Sequence, residues 1–307
     1  MTRGVHGEKL AMLLENSKLP ESDKIRAKKA LAVYDSWVKE LNAVRAKTLD
    51  GLIIKFVEAL NSYKFYIDVD FIFDSPQDFL YRQKGQLKLD NTVMEEFVPV
   101  FVRRCLEFEL GKCELDISSQ SNIFSSIFFT SSLSNPGIAG GITIKTKTQD
   151  FSISRRLYIK SSYCPDFMAD ETLTLSANLG YVLAELKTNL DKTMFQEASA
   201  TAHDVKQAVL GTKYYLLCDY LDMTPISTAT TDIDEILITR KAKRLSANIR
   251  KNYATYAGRM EGRKEYISFL KQNPYSPEIF KRFIGHIISQ ITSGKLEEDS
   301  VLSAGYF

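Results

Sequence analysis

The stretch Tyr181-Val182-Leu183-Ala184-Glu185-Leu186-Lys187 decides how the rest of the chain is read. An apolar run passes directly into an acid, a leucine and an amine. Such a run reads as a buried strand that delivers its charges abruptly at one end. Glu185 and Lys187 are two positions apart, so both side chains leave the same face of the strand. Upstream stands Cys164-Pro165-Asp166. If Asp166 to Leu175 pairs with Gly180 to Leu186 through a turn at Ser176-Ala177-Asn178-Leu179, two carboxylates and an amine come together. An acid two places before a lysine is common by chance. The second one, Asp204-Val205-Lys206, falls within a helical stretch where i and i+2 do not share a face, and reads as helix surface.

Working outward, Met194 to Leu210 reads as a helix ending at Gly211, followed by a strand from Lys213 to Tyr220 and another over Ile233 to Ile238. Upstream, residues 141–148, 151–154 and 157–160 have strand character. Residues 118–134 are rich in serine and read as a connector, with turns at Asn135-Pro136-Gly137 and Gly140-Gly141. The N-terminal third reads as helix. A long segment from Lys24 to Asn61 carries Ala30, Val33, Tyr34, Trp37, Leu41 and Val44 on one stripe, with a break near Leu49-Asp50-Gly51. Trp37 on that stripe reads as core. A second helix covers Asn91 to Phe108, and the aromatic and β-branched run from Tyr63 to Phe73 reads as a strand between them. The predicted class is α/β (α+β), a mixed central sheet flanked by helices. Its N-terminal region would be helical over 1–115 and its core would lie in 116–307, as one continuous unit.

Apolar content of 44% and charged content of 25% are ordinary for a soluble globular chain of 307 residues. No run approaches the roughly 20 apolar residues of a membrane span, and nothing reads as a signal peptide. Cys105, Cys113, Cys164 and Cys218 show no Cys-x-x-Cys spacing, and His6, His203 and His286 are far apart, so zinc is not expected. Reduced cytoplasmic thiols are the default. The net charge of +2 hides an asymmetry: residues 239–282 hold twelve Lys and Arg against three Glu, a net of +9, leaving −7 for the remainder. A basic segment on an acidic protein suits a phosphate backbone, and equally suits a solvated helical face.

Two carboxylates side by side repel unless a cation sits between them, and hard divalent ions of the Mg²⁺ type take such oxygen ligands. A metal and a lysine together can supply nucleophile activation and charge neutralisation for phosphodiester hydrolysis. The arrangement Pro165-Asp166…Glu185-Leu186-Lys187 resembles the PD-(D/E)XK nuclease core. The longer run from Ala184 to Met223, continued by Thr224-Pro225-Ile226-Ser227-Thr228 and Thr231-Asp232-Ile233-Asp234-Glu235, resembles the Bpu-ten-I family of type II restriction endonucleases.

The resemblance implies a Mg²⁺-dependent, sequence-specific endonuclease on double-stranded DNA that leaves 5′-phosphate ends, with Mn²⁺ a possible substitute. Asp166 and Glu185 would be metal-binding carboxylates, the Leu186 carbonyl a further ligand and Lys187 the catalytic amine. Asp170 and Glu171 lie on the same predicted strand as Asp166 and compete for the first position. Gln196 is a further candidate, and Glu95, Glu96 and Glu107 are candidates for a helix glutamate recruited from the N-terminal side. Candidate DNA contacts are Arg155 and Arg156, and in the basic segment Arg240, Lys241, Lys243, Arg244, Arg250, Lys251, Arg259, Arg263 and Lys264. The family resemblance also implies a homologous second subunit (heterodimer) or a homodimer, each chain cutting one strand, in a bacterial cytoplasm. The competing readings are a structure-specific repair or recombination nuclease and an inactive DNA-binding subunit.

Overall fold

Eighteen residues, Leu173–Leu190, form one unbroken strand, β5, and the other elements are arranged about it. The computed structural model describes residues 3–111, 114–292, 302, 303 and 305. Before β5 come β1 (Asp116–Ser118), β2 (Ser121–Phe129), β3 (Ile142–Gln149) and β4 (Phe151–Ser161). After it come the helix α6 (Lys192–Ala208), β6 (Lys213–Leu221) and β7 (Glu235–Lys243). β4 runs antiparallel to β5 from Phe151↔Ala184 to Ser161↔Leu173. On the other edge β6 runs parallel, from Val182↔Lys213 to Leu190↔Leu221, with α6 as the crossover, and β7 extends the parallel part. β1 pairs with β4, β2 pairs with β3 as a hairpin, and β2 also meets β5 at Ile123↔Asn178. The result is a seven-stranded mixed sheet with helices on both faces, the class expected from the sequence.

β5 reads as an apolar run because both its faces are covered. Val182, Ala184 and Leu186 enter the larger core, while Leu183 and Leu190 join Phe195, Ala198, Ala202 and Val205 of α6. The larger core is roofed by α1 (Val5–Leu14), α2 (Glu21–Ala43), α3 (Leu49–Phe65) and α5 (Thr92–Leu110), with the short α4 (Phe79–Gln83) beside them. The C-terminal segment supplies α7 (Ala247–Asn252), α8 (Tyr256–Glu261), α9 (Arg263–Gln272) and α10 (Pro277–Thr292). α10 returns to the N-terminal layer. Its Phe283 packs against Phe151 and Tyr215 of the sheet, with ring centroids 5.8 and 5.4 Å away. One buried cluster therefore joins α1–α3, α5, the sheet and α10. α9 ends at Gln272, just ahead of Asn273-Pro274, and α10 starts at Pro277, where the ring's fixed φ suits the first helical turn.

Three local readings are corrected. Tyr63 to Phe73 is not a strand: α3 continues to Phe65 and passes into a π-helical stretch, Tyr66–Phe73. Its Ile67, Val69, Phe71, Ile72 and Phe73 are all buried, so enclosure rather than strand alternation makes the run apolar. Residues 118–134 contain β2 and are not simply a connector. The break in the long N-terminal helix lies at 44–48, ahead of Leu49, because the Thr48 hydroxyl accepts the Gly51 N–H and caps α3. Trp37 is core, stacked on Tyr63 at 4.2 Å. Asp204 and Lys206 pair with Lys147 and Asp234 on the α6 surface. Burial pushes the Cys105 and Cys218 thiols up to about 12, so neither is a reactive thiolate, and Cys113 lies outside the described residues. Among the described residues no helix is long and apolar enough to cross a membrane.

His6 ties α1 to this core. Its ring nitrogens meet the Thr92 hydroxyl at 3.0 Å and the Tyr63 hydroxyl at 2.8 Å, with the ring fully buried. Burial, then the charge of Lys64, lowers its pKa from 6.5 to about 3, against an opposing pull from Asp90. The folded histidine therefore stays neutral while the unfolded one takes up a proton below pH 6.5. The stability is full above that value and drains as pH falls toward about 3. The slope is about 1.4 kcal/mol per pH unit, so pH 5 costs about 2 kcal/mol. Denaturant midpoints at pH 7 and pH 5 check this: the fall in wild type is largely removed in His6→Gln.

Candidate active site

The expected hairpin with a turn at 176–179 does not form, because β5 runs straight through those residues. Asp166, Asp170 and Glu171 lie in the exposed segment that precedes β5. Glu185 is twelve positions beyond Leu173, roughly 40 Å along an extended strand. These three acids are therefore not brought to Glu185. The residue that is brought there is Asp150, which stands between β3 and β4. The pair Phe151↔Ala184 ends the β4–β5 ladder, so Asp150 falls opposite Glu185.

Hydrogen bonds fix this placement. Asp150 Oδ2 accepts the Leu186 N–H at 2.9 Å. Lys187 Nζ meets Glu185 Oε1 at 2.6 Å, and the buried Tyr214 hydroxyl donates to Glu185 Oε2 at 3.2 Å. Burial, then the negative charge of Glu185, pushes the Tyr214 pKa far up, so the hydroxyl remains a donor. At Lys187, burial pulls the pKa down. The hydrogen bond and charge of Glu185, then the charges of Asp150 and Glu197, outweigh it and leave the pKa raised, so the amine is a cation.

A third acid approaches from α5. Glu95 is buried, accepts from Asn91 Nδ2 at 3.0 Å and Gln120 Nε2 at 2.9 Å, and has Lys88 at 3.9 Å. Burial, then the charge of Asp150, raises its pKa against the charge of Lys88, the Gln120 hydrogen bond and the charge of Lys9. Of the three helix glutamates considered, only Glu95 reaches the cluster. Glu96 is held by the Tyr34 hydroxyl and the His6 and Gly7 N–H groups, and Glu107 pairs with Arg104. Gln196 is exposed on α6.

The cluster opens at Lys187 into a cleft of about 580 Å³ at the C-terminal ends of β5 and β6, the usual ligand-binding end of parallel strands. Its walls carry Lys64, Arg82, Lys84, Lys88, Lys187, Arg244 and Arg250 against Asp68 and Asp90, a net of five positive charges. Tyr81, Tyr220, Tyr253, Tyr266 and Phe269 complete them. Arg244 and Arg250 come from the basic segment. Of the cations between 64 and 88, Lys64 sits in an aromatic run, and Arg82, Lys84 and Lys88 fall in a short polar stretch well outside the basic segment 239–282.

The basic segment divides. Arg240 and Arg259 are buried and cannot meet a DNA backbone. Arg240 stacks over Tyr275 at 3.9 Å and donates to the Asn273 carbonyl. Lys241 pairs with Glu278, Arg263 with Asp74 and Arg244 with Asp222. Lys243, Lys251 and Lys264 are exposed, as are Arg155 and Arg156 on the outer part of β4.

Comparisons with known proteins bear on the fold and the family of the chain. No curated protein sequence matches the chain significantly. The solved structure described as the native BbvCI A2B2 tetramer at low resolution is similar, with a TM-score of 0.54, 17% sequence identity, and coverage of 80% of this chain and 86% of that chain. At that identity the likeness speaks for the fold. The model of the Bpu10I (Bpu-ten-I) restriction endonuclease matches residues 86–307, which contain Glu95, Asp150, Glu185 and Lys187. The chain belongs to the Bpu10I restriction endonuclease family.

Proposed function

We propose that the chain hydrolyses double-stranded DNA at a specific sequence, with Asp150, Glu185 and Lys187 as the active site and Mg²⁺ as the cofactor. The observation that carries this reading is the convergence of those three side chains at the mouth of a cationic cleft. Asp150 takes the role that the sequence suggests for Asp166.

The donor set fits a hard divalent ion. Asp150 and Glu185 offer carboxylate oxygens. The Leu186 N–H points to the β4 edge, where Asp150 takes it, so the Leu186 carbonyl leaves on the same edge, past the first residue of β4 and outside the ladder. Among the described residues no three His, Cys, Asp or Glu side chains are placed to hold a metal. Two carboxylates, a carbonyl and water suit Mg²⁺, which keeps several waters, better than an all-protein cage. When bound, the ion would supply Lewis-acid charge neutralisation at the scissile phosphate and acidify water.

The chain's own groups do the rest. Lys187, held charged, can donate from Nζ to a phosphate oxygen and orient the attacking water in line. Tyr214 and the Leu186 N–H fix the Glu185 and Asp150 carboxylates, and the cleft cations hold the strand's phosphates. The products would be 5′-phosphate and 3′-hydroxyl ends.

One such cluster among the described residues supports cutting of one strand per subunit, and the A2B2 tetramer of the BbvCI structure supports a partner subunit here. A cytoplasmic setting accords with both. Plasmid incubation with Mg²⁺, with and without a neighbouring homologous subunit, tests the reading. Wild type should give discrete fragments with the partner, and Lys187→Ala should cut its strand about 10³-fold more slowly. Equal cutting by Lys187→Ala would sink the assignment. Cleavage confined to junctions or ends would instead favour a structure-specific nuclease.

A further inference from the structure

The turn joining β1 to β2 places Gln120 in the left-handed region, φ +52°. That conformation suits Gly or Asn and is unfavourable for a longer side chain. The glutamine amide points between two carboxylates. Its Nε2 donates to Glu95 Oε2 at 2.9 Å and to Asp150 Oδ1 at 3.1 Å. An amide nitrogen carries two hydrogens, one for each acid. The remaining oxygens are also engaged: Asn91 Nδ2 on Glu95 Oε1, and the Leu186 N–H on Asp150 Oδ2. Glu95 is buried and anchored in α5, whereas Asp150 stands between two strands and is held on its other oxygen by the Leu186 N–H.

We propose that Gln120 is a positioning residue that tethers Asp150 to the anchored Glu95 and so presets the first carboxylate for the divalent ion. This rests on the reading of Asp150, Glu185 and Lys187 as the active site. Four other non-glycine residues share this backbone region, so what points to the role is the amide, whose two hydrogens meet both acids.

The test separates turn geometry from positioning. In the full-length protein with its partner, Gln120→Gly relieves the left-handed strain and removes the amide. Gln120→Asn keeps an amide and tolerates the conformation but is one methylene too short to span both acids. Each variant is followed by Tm without metal, by the Ca²⁺ concentration that half-saturates the thermal shift, and by cleavage at low and high Mg²⁺. The expected result is a Tm at or above wild type for Gln120→Gly. In both variants the Ca²⁺ midpoint should rise about tenfold and cleavage at low Mg²⁺ should fall about 10- to 100-fold, recovering in part at high Mg²⁺. Unchanged Ca²⁺ midpoint and cleavage would overturn the proposal, as would a large fall in Tm in both variants. Lys187→Ala separates the two levels of inference. If it cuts normally, the site itself is misread. If it is inactive while Gln120→Gly behaves as wild type, only the role of Gln120 fails.

Discussion

Asp150→Asn slows cleavage about 10³-fold, while Asp166→Asn leaves it within about twofold of wild type. Asparagine has the shape of aspartate and its Oδ1 can still accept the Leu186 N–H, so the β4–β5 end keeps its form. What is lost is the charge beside Glu185, and with it a ligand for the divalent ion proposed above. Asp166 is exposed and lies on the far side of the twelve strand positions that separate Leu173 from Glu185. Single-turnover cleavage of supercoiled plasmid, with circular dichroism to verify folding, measures both variants. The reverse ranking would show that the register of β4 against β5 differs from that described.

Arg259→Met lowers stability by about 4 kcal/mol, on the order of 8 °C in Tm. The guanidinium is fully buried, with 0% exposure, and all three of its nitrogens are used. Nε donates to the Phe73 carbonyl, Nη1 to the Tyr253 carbonyl and Asp78, and Nη2 to the Ser75 and Gln77 carbonyls. It therefore locks the end of the π-helical stretch to α7 and α8. Methionine replaces the stem but takes this donor from the buried Phe73, Ser75 and Tyr253 carbonyls, while Gln77 still accepts from the Ser75 hydroxyl, and unmet buried acceptors cost about 1–3 kcal/mol each before relaxation. Lys264→Ala in the same basic segment, at an exposed position, changes stability by less than about 0.5 kcal/mol. Thermal melts of the two variants side by side give the comparison.

These two cases show where sequence reading reaches and where it stops. Tyr181 to Lys187, α6 and β6 are legible because each is a local pattern whose period is visible within a few residues. Asp150 is not, since its meaning comes from pairing with a strand more than thirty residues away. Pro165-Asp166 supplies a nearby motif match, and a motif match carries no information on register. An acid at the boundary between two strands, just before one that pairs with the Glu185 strand, is the signal that finds Asp150. Arg240 and Arg259 mislead for a different reason. Charge is a sound guide to exposure until stacked rings and carbonyls satisfy it inside. Glu95 was legible only as one of three glutamates, because the helix face that reaches the site depends on how α5 packs.

The shared core of the N-terminal helices, the sheet and α10 has a consequence for how the chain can be divided. The family match begins at residue 86 and takes in Glu95, Asp150, Glu185 and Lys187, while Lys64, Arg82 and Lys84 of the cleft lie before it. Yet α1, α2 and α3 precede that point and share its core: Phe56 of α3 meets Phe97 and Phe101 edge to face, those two rings stack on each other, and both meet Phe280 edge to face. Residues 86–307, the span of the family match, therefore share one buried core with the helices that precede them. Kinship and thermodynamic autonomy have different borders here, and Glu95 keeps its aim only while the helices outside the family match hold α5 in place.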